Sequence, residues 1–321
     1  MRIRQSSFLS KTTDWPKGPV RWYRDGVEYI SIAFTWHLPM VRDDLNQALF
    51  PTRTIVGGPA VRLMPGFFDG VLGCEVGKED VDGVLQMANP MATRTTLGCP
   101  RKCKFCAVGS GQIETKGFVE LDDWPDNPMV CDNNLLAASV KHFDRVIDRL
   151  VAHGWADFNQ GLDARLMTAH HARQMAKIKT PVVRLALDHQ GMAKSWARAY
   201  DLLRVAGINK RNIRSYALIG FDSGVEEAWD RCFWIESHGV RSLPMWFNRL
   251  DTLVQNEVTD KQRKLGWDED ERVRIMKYFY HHRDISTKRR KRNGQPWTKV
   301  KFPKSKAVLE DLPESEQPWL I

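Results

Sequence analysis

No run in this 321-residue chain comes near the roughly 18 consecutive apolar residues that a membrane span needs, so no membrane partner is expected. The opening stretch MRIRQSSFLSKTTDW is positively charged but lacks an apolar core, which separates it from a secretory signal. Cysteine is scarce as well. Six cysteines cannot staple a chain of this size, which excludes a disulfide scaffold and makes a reducing cytoplasm the expected location. Neither a second C-x2-C nor an H-x3-H lies beside the single cysteine cluster. The pairs His170–His171 and His281–His282 have no partner at metal-ligand spacing, so both are expected at the surface. Acid is in deficit: 39 Asp and Glu against 48 Lys and Arg leave a formal charge of +9.

What is present is unevenly placed. Residues 283–306 hold ten Lys or Arg, Trp297 and Phe302 against the single acid Asp284, and the last fifteen residues turn acidic. Such a tract suits the phosphate backbone of DNA or RNA, with an aromatic ring to stack on a base. It also reads as a solvated tail that keeps the chain soluble.

Hydrophobic patterning divides the chain in three. Residues 1–88 read as a small α/β unit, with strands at 27–35, 53–57 and 69–73 and a helix at 42–50. From 89 to 283 strands and helices alternate. Strands are expected at 93–97, 128–135, 155–160, 181–187, 213–219 and 242–247, and helices at 136–152, 168–178, 191–206, 224–238 and 268–282. That alternation implies a parallel sheet covered by helices, in six units where a full barrel has eight. Residues 107–127 read as irregular, and 284–321 as a basic extension with an acidic end.

The chemistry concentrates in Thr95-Thr96-Leu97-Gly98-Cys99-Pro100-Arg101-Lys102-Cys103-Lys104-Phe105-Cys106, a C-x3-C-x2-C spacing at the exit of an expected strand. Three thiolates this close can wrap one [4Fe–4S] cubane. Such clusters ordinarily take four cysteines, so Cys99, Cys103 and Cys106 would leave one iron open to a further ligand. Zinc competes for cysteine-rich knuckles, but structural zinc usually draws on two paired dyads. Gly98 and Pro100 suit a backbone wrapped round a bulky group. Cys74, Cys131 and Cys232 stand apart and read first as small buried hydrophobes. Cys74, beside Gly73, is also a candidate hydrogen-atom or thiolate donor.

This motif, ahead of strand and helix units over about residues 90–282, resembles the radical SAM superfamily. The resemblance implies a partial (β/α)6 TIM barrel and a cluster held by Cys99, Cys103 and Cys106. It also implies S-adenosylmethionine on the open iron, cleaved reductively to a 5′-deoxyadenosyl radical that abstracts hydrogen. An electron donor of the flavodoxin or ferredoxin kind follows as a partner. Phe105 would then pack near the adenine. Cys131-Asp132-Asn133-Asn134 stands where the family often has Gly-Gly-Glu, so Asp132 or Asn134 substitutes for the contact to the amino group. Asn159-Gln160-Gly161-Leu162-Asp163-Ala164-Arg165 resembles a GLDxR signature. It offers Gln160, Asp163 and Arg165 to the cofactor, with Arg165 suited to a carboxylate. Asp188 would face the ribose, and Ile219 with Gly220 the adenine.

Each of these has a plainer alternative. Asp132 can cap a helix, Asp188 can end a strand, Asp163–Arg165 can be an interior ion pair, and Gly220 a turn glycine. Val56-Gly57-Gly58-Pro59-Ala60 with Gly73-Cys74-Glu75 is similar to the front half of cobalamin-binding members of the superfamily, shortened and without an Asp-x-His-x-x-Gly cobalt-ligand motif. The favoured expectation is a radical enzyme that modifies a nucleic-acid base or nucleotide. A small metabolite or peptide substrate is the first alternative. A non-catalytic iron–sulfur protein that binds nucleic acid is the second.

Overall fold

The computed structural model describes residues 15–49, 52–77, 83–114 and 117–281. The basic tract at 283–306 and the extension expected at 284–321 lie outside the described residues.

A hairpin opens the N-terminal unit. Strands β1 (Val20–Arg24) and β2 (Val27–Ser31) pair antiparallel across Asp25 and Gly26, at φ of 51° and 75°. A two-residue type I′ turn needs that backbone and favours that residue pair. The chain crosses through α1 (Leu38–Gln47) to β3 (Thr54–Gly57), then through α2 (Pro59–Leu63) to β4 (Cys74–Val76). The sheet runs β1-β2-β3-β4, and its last three strands are parallel. Leu38 and Val41 of α1 and Ala60 and Val61 of α2 pack against Ile30, Ile32 and Val56. The sequence misplaces two elements here. Residues 69–73 form a turn rather than a strand, with Val71 turned into the core and Gly70 and Gly73 at φ of 80° and 75°. The helix expected at 42–50 begins at Leu38, where Pro39 occupies the first turn, a place proline favours.

The larger unit follows α3 (Val84–Ala88). Its strands are β5 (Ala92–Thr93), β6 (Thr96–Leu97), β7 (Val119–Glu120), β8 (Met129–Val130), β9 (Trp155–Phe158), β10 (Thr180–Ala186), β11 (Ile213–Ile219) and β12 (Arg241–Trp246). Between strands lie α4 (Val140–His153), α5 (Ala169–Met175), α6 (Ala193–Val205) and α7 (Val225–Ser237), and after β12 come α8 (Asp260–Lys264) and α9 (Glu269–His281). One sheet runs β5-β8-β9-β10-β11-β12 with every neighbour parallel, while β6 and β7 form a separate antiparallel pair. The chain is therefore an α/β protein with a six-stranded parallel sheet.

Strand order follows chain order without reversal, so crossovers of the usual right hand lay the helices on one face. On β11, Ile213, Ser215, Ala217 and Ile219 are buried, while Arg214, Tyr216 and Leu218 between them are half-buried. Ile213, Ala217 and Ile219 join Phe143, Ile147, Trp196, Leu203 and Trp229 in one core cluster. On the strand positions between those of this core, Asp157 of β9 and Arg184 of β10 form a buried ion pair. Among the described residues no helix is long and apolar enough to cross a membrane.

Polar side chains cut several expected elements short. The strand expected at 93–97 breaks into β5 and β6 because Asp132 takes the Thr95 and Thr96 amides, at 2.6 and 2.9 Å. The strand expected at 128–135 shrinks to β8, and a 3-10 turn at Leu135–Ala137 delays the next helix to Val140. Neither α8 nor β1 is foreseen from the sequence, and β7 lies in a stretch read as irregular. His171, expected at the surface, is buried in a capping box with Thr168, and burial pulls its imidazole down to about 4. His170 instead pairs with Asp144 at 2.7 Å.

Helix α4 starts where the Ser139 hydroxyl accepts from the His142 amide at 3.2 Å, and Glu120 accepts the Ser139 hydroxyl at 2.9 Å. Ser139→Ala removes both bonds while leaving the core intact. Urea unfolding should show a loss of about 1 kcal/mol, the usual cost of a lost N-cap.

Candidate functional site

The cysteines lie in the loop that leaves β6, at the carboxyl end of the parallel sheet, where open α/β sheets place their ligands. Asp132 fixes the start of this loop. Besides the two amides, its carboxylate accepts the Thr95 hydroxyl at 2.5 Å, and His142 Nε2 lies 3.3 Å from that hydroxyl. Asp132 is 4% exposed. Burial outweighs its hydrogen bonds and raises its carboxyl pKa. Three bonds to a charged acceptor, worth about 1.5–3 kcal/mol each, are of the size needed to offset a desolvation cost of several kcal/mol.

Glu114 fixes the other end. It accepts from the Gly98 amide, from Arg94 at 2.7 Å and from Asn133 at 2.9 and 3.0 Å. Burial pushes its carboxyl up, but Arg94 and these hydrogen bonds pull it below the ordinary value. Two glycines make the loop possible. Gly98 has φ of 70°, and a Cβ there would stand 1.7 Å from the Gly117 carbonyl oxygen. A Cβ on Gly109 would stand 2.8 Å from the Cys103 amide nitrogen. Within the loop, the Cys106 amide donates to the Cys103 carbonyl and the Ser110 amide to the Cys106 carbonyl, both at 3.0 Å.

Cys99, Cys103 and Cys106 are all free and half-buried. The Cys99 sulfur accepts from the Arg101 amide at 3.4 Å and from Asn134 Nδ2 at 3.5 Å. The other polar atom of Asn134, Oδ1, is buried without a hydrogen-bond partner. Burial raises the Cys103 thiol pKa, and Arg165 beside it works in the opposite direction. Among the described residues no three His, Cys, Asp or Glu side chains converge on a point that fits a single metal ion. A cubane makes a different demand, because its cysteines bind separate irons around a body rather than meeting at one ion. Three thiols on a glycine-cradled loop, with amide donors aimed at sulfur and one orphaned amide oxygen, fit that demand.

The loops after the following strands meet the cysteines. Asp163, after β9, binds Arg165 through Nε at 2.7 Å and Nη2 at 3.0 Å, and also binds Arg101 at 3.0 Å. Burial works against ionisation of Asp163, yet the two guanidiniums hold its carboxyl below the ordinary value. Arg165 in turn lies near enough to Cys103 to favour its thiolate. Asp188, after β10, is raised by burial and feels the charges of Arg231, His189, Arg165 and Asp163. Phe105 packs edge-on against Phe221, at 5.6 Å between centroids, and Phe221 against Phe247 at 4.8 Å. These rings tie the cysteine loop to the loops after β11 and β12.

Other candidates sit differently. Gln160 is exposed, and the nearby Cys131 is buried, which pushes its thiol up to about 12. Ile219 is buried in the core on the helix side, and its carbonyl accepts from the Phe247 amide at 2.9 Å. The Gly220 carbonyl accepts from Gln262 at 2.9 Å, and the space a Cβ would fill is taken by the Trp246 ring, 2.5 Å away. Cys74 packs on the N-terminal core at the sheet edge, where burial lifts its thiol to about 11.

The motif reading does not single out Arg101, Glu114 or Arg231. Arg101 lies inside the motif and was available to it. Glu114 carries no local signal. Arg231 is fully buried and bonds the carbonyls of Asp188 and Leu218 and the Ser223 hydroxyl; its one trace in sequence is Glu227 at i−4.

The N-terminal unit closes on the same rim. The Thr35 hydroxyl, after β2, donates to the Thr252 carbonyl after β12 at 2.5 Å, and Arg62 in α2 donates to the Ile113 carbonyl of the cysteine loop at 2.7 Å.

Glu114 supplies a pH test. Its folded-state pKa is depressed, so its contribution to stability is full above the ordinary value of 4.5 and fades as pH falls through the lower folded value. Glu114→Gln should lower stability at pH 7 and flatten its decline below pH 4.5, measured by urea unfolding across pH. An unchanged acid limb would remove Glu114 from the clamp. Compared with protein-family models, curated proteins and solved structures, the chain matches none of them.

Proposed function

We propose that this chain is a radical SAM enzyme whose six-stranded sheet is a partial (β/α)6 barrel. Cys99, Cys103 and Cys106 are the residues that would hold its [4Fe–4S] cluster. That group, given one electron by an external donor of the flavodoxin or ferredoxin kind, supplies reductive cleavage of S-adenosylmethionine to methionine and a 5′-deoxyadenosyl radical that takes a hydrogen atom from the substrate. The observation that carries this reading is the convergence on the cysteine loop of side chains from the loops after β9, β10 and β11, with Arg101 of that loop bonded to Asp163.

The chain's own residues have separable tasks. Asp163 holds Arg165 at two points, which presents its guanidinium beside the cysteines as a partner for a carboxylate. Asn134, buried against Cys99 with Oδ1 unsatisfied, can accept from an ammonium group. Asp132 has three donors already, so its work is to hold the loop. Phe105, Phe221 and Phe247 form an apolar wall suited to a flat ring. Asp188, close to Arg165 and Arg231, suits hydroxyl groups. The charge of +9 supports a nucleic acid, or a nucleotide within one, as the substrate.

Anaerobic reconstitution should load about four irons per chain, and reduction with S-adenosylmethionine should release 5′-deoxyadenosine. Cys103→Ala should lose both. Retention of both by that variant would overturn the assignment.

A further inference from the structure

Phe34 is a large apolar residue left at the surface: it is 49% exposed beside the exposed Ala33, while Ile32 and Thr35 are buried. It stacks on Trp36 with centroids 4.5 Å apart and planes 8° from parallel, and His37 stands edge-on to both at 6.0 Å. Trp36 is the one ring stacked parallel to the phenyl ring among the described residues, and His37 meets it only edge-on.

The pair is held firmly. The His37 amide donates to the Phe34 carbonyl at 3.0 Å, closing a 3-10 turn, and Ile32 is pinned to Gly57 and Ala60 at 2.9 and 3.0 Å. Thr35, between the two rings, is the residue bonded to the Thr252 carbonyl. Phe34 thus follows β2, at the carboxyl end of the parallel strands of the N-terminal sheet, and its neighbour Thr35 meets the loop after β12. Arg62, after β3, makes the matching contact to the cysteine loop. The exposed Leu253 and Val254 continue the apolar rim.

We propose that Phe34, backed by Trp36, is a stacking platform for an unpaired base of a single-stranded nucleic acid that enters the cysteine rim. A rigid pair of parallel rings offers a flat π surface, which is what sequence-tolerant single-strand binding uses. Charge selects the occupant. The chain carries nine more basic than acidic groups, and ten Lys or Arg fall within 283–306, outside the described residues. A polyanion with flat bases complements both features, whereas an aromatic peptide complements only the rings. The proposal rests on the proposed function only for its view of the rim as the reaction site.

The test measures binding of the full, reconstituted chain to a fluorescein-labelled single strand by anisotropy. DNA is used in one arm and RNA of the same sequence in another, without reductant or S-adenosylmethionine. Phe34→Leu keeps an apolar side chain and removes the π face, and Phe34→Tyr keeps it. In an arm that the wild type binds, F34L should weaken binding roughly 5- to 100-fold, the range expected for one stacked base. F34Y should stay near the wild type. The salt dependence should be the same in all three, because it reports phosphate contacts. Three results would overturn the platform: no wild-type binding in either arm, F34L binding like the wild type, or a loss that F34Y shares. Release of 5′-deoxyadenosine by the wild type, measured separately, decides the radical reading, so either can fail without the other.

Discussion

Where the ladder between β5 and β8 stops, a buried carboxylate takes its place. Asp132 collects two amides and a hydroxyl from Thr95 and Thr96, so the chain leaves the sheet at that point and enters the cysteine loop from a fixed position. An exposed carboxylate with the same partners would be worth little, because water would compete for every donor. Buried, its bonds are hard to break one at a time, since each loss leaves a desolvated charge less satisfied. Glu114 does the same from the far side. It draws Gly98, Arg94 and Asn133 together, so both ends of the loop are tied to residues next to Asp132 or to the loop itself.

With the loop fixed, the sequential winding of the sheet supplies the rest. Each strand after β8 ends on the same rim, one place further along, and delivers a side chain of different chemistry. Arg165 is delivered after β9, Asp188 after β10, Phe221 after β11 and Phe247 after β12. Arg231 ties two of these exits together from behind, through the carbonyls of Asp188 and Leu218. The N-terminal sheet then bridges the loops from the two edge strands' side of the rim, through Thr35 and Arg62. The loops after the parallel strands of both sheets thus touch, at Thr252 and at Ile113 of the cysteine loop.

Much of this was legible in the sequence. Strands β9 to β12 and helices α5 to α7 and α9 lie within a few residues of where hydrophobic patterning puts them, because each buries one face against the same core. The cysteine spacing pointed to the loop after β6, and the structure brings Asp163, Asp188 and Phe221 from later loops beside it. Several misreadings fall where local pairing replaces the sheet or helix ladder: Asp132 takes the Thr95 and Thr96 amides, and a 3-10 turn at Leu135–Ala137 precedes the helix that Ser139 caps. The Asp25–Gly26 turn, a recognisable hairpin signal, was passed over, and β1 with it. Glu114 could not be read at all. Its partners lie 16 to 20 residues away, and nothing in its immediate surroundings distinguishes it from a surface glutamate. Gly220, at φ of 78°, also has a packing reason, since the Trp246 ring takes the space a Cβ would fill.

The central claim is that three thiols on one loop hold a cluster with a coordination position left free. Electron paramagnetic resonance of the reconstituted, reduced chain tests it directly. The account predicts the signal of a reduced [4Fe–4S] cluster that changes shape when S-adenosylmethionine is added, as ligation at an open iron requires. A single zinc per chain with no such signal, or a cluster signal that S-adenosylmethionine leaves unchanged, would contradict it.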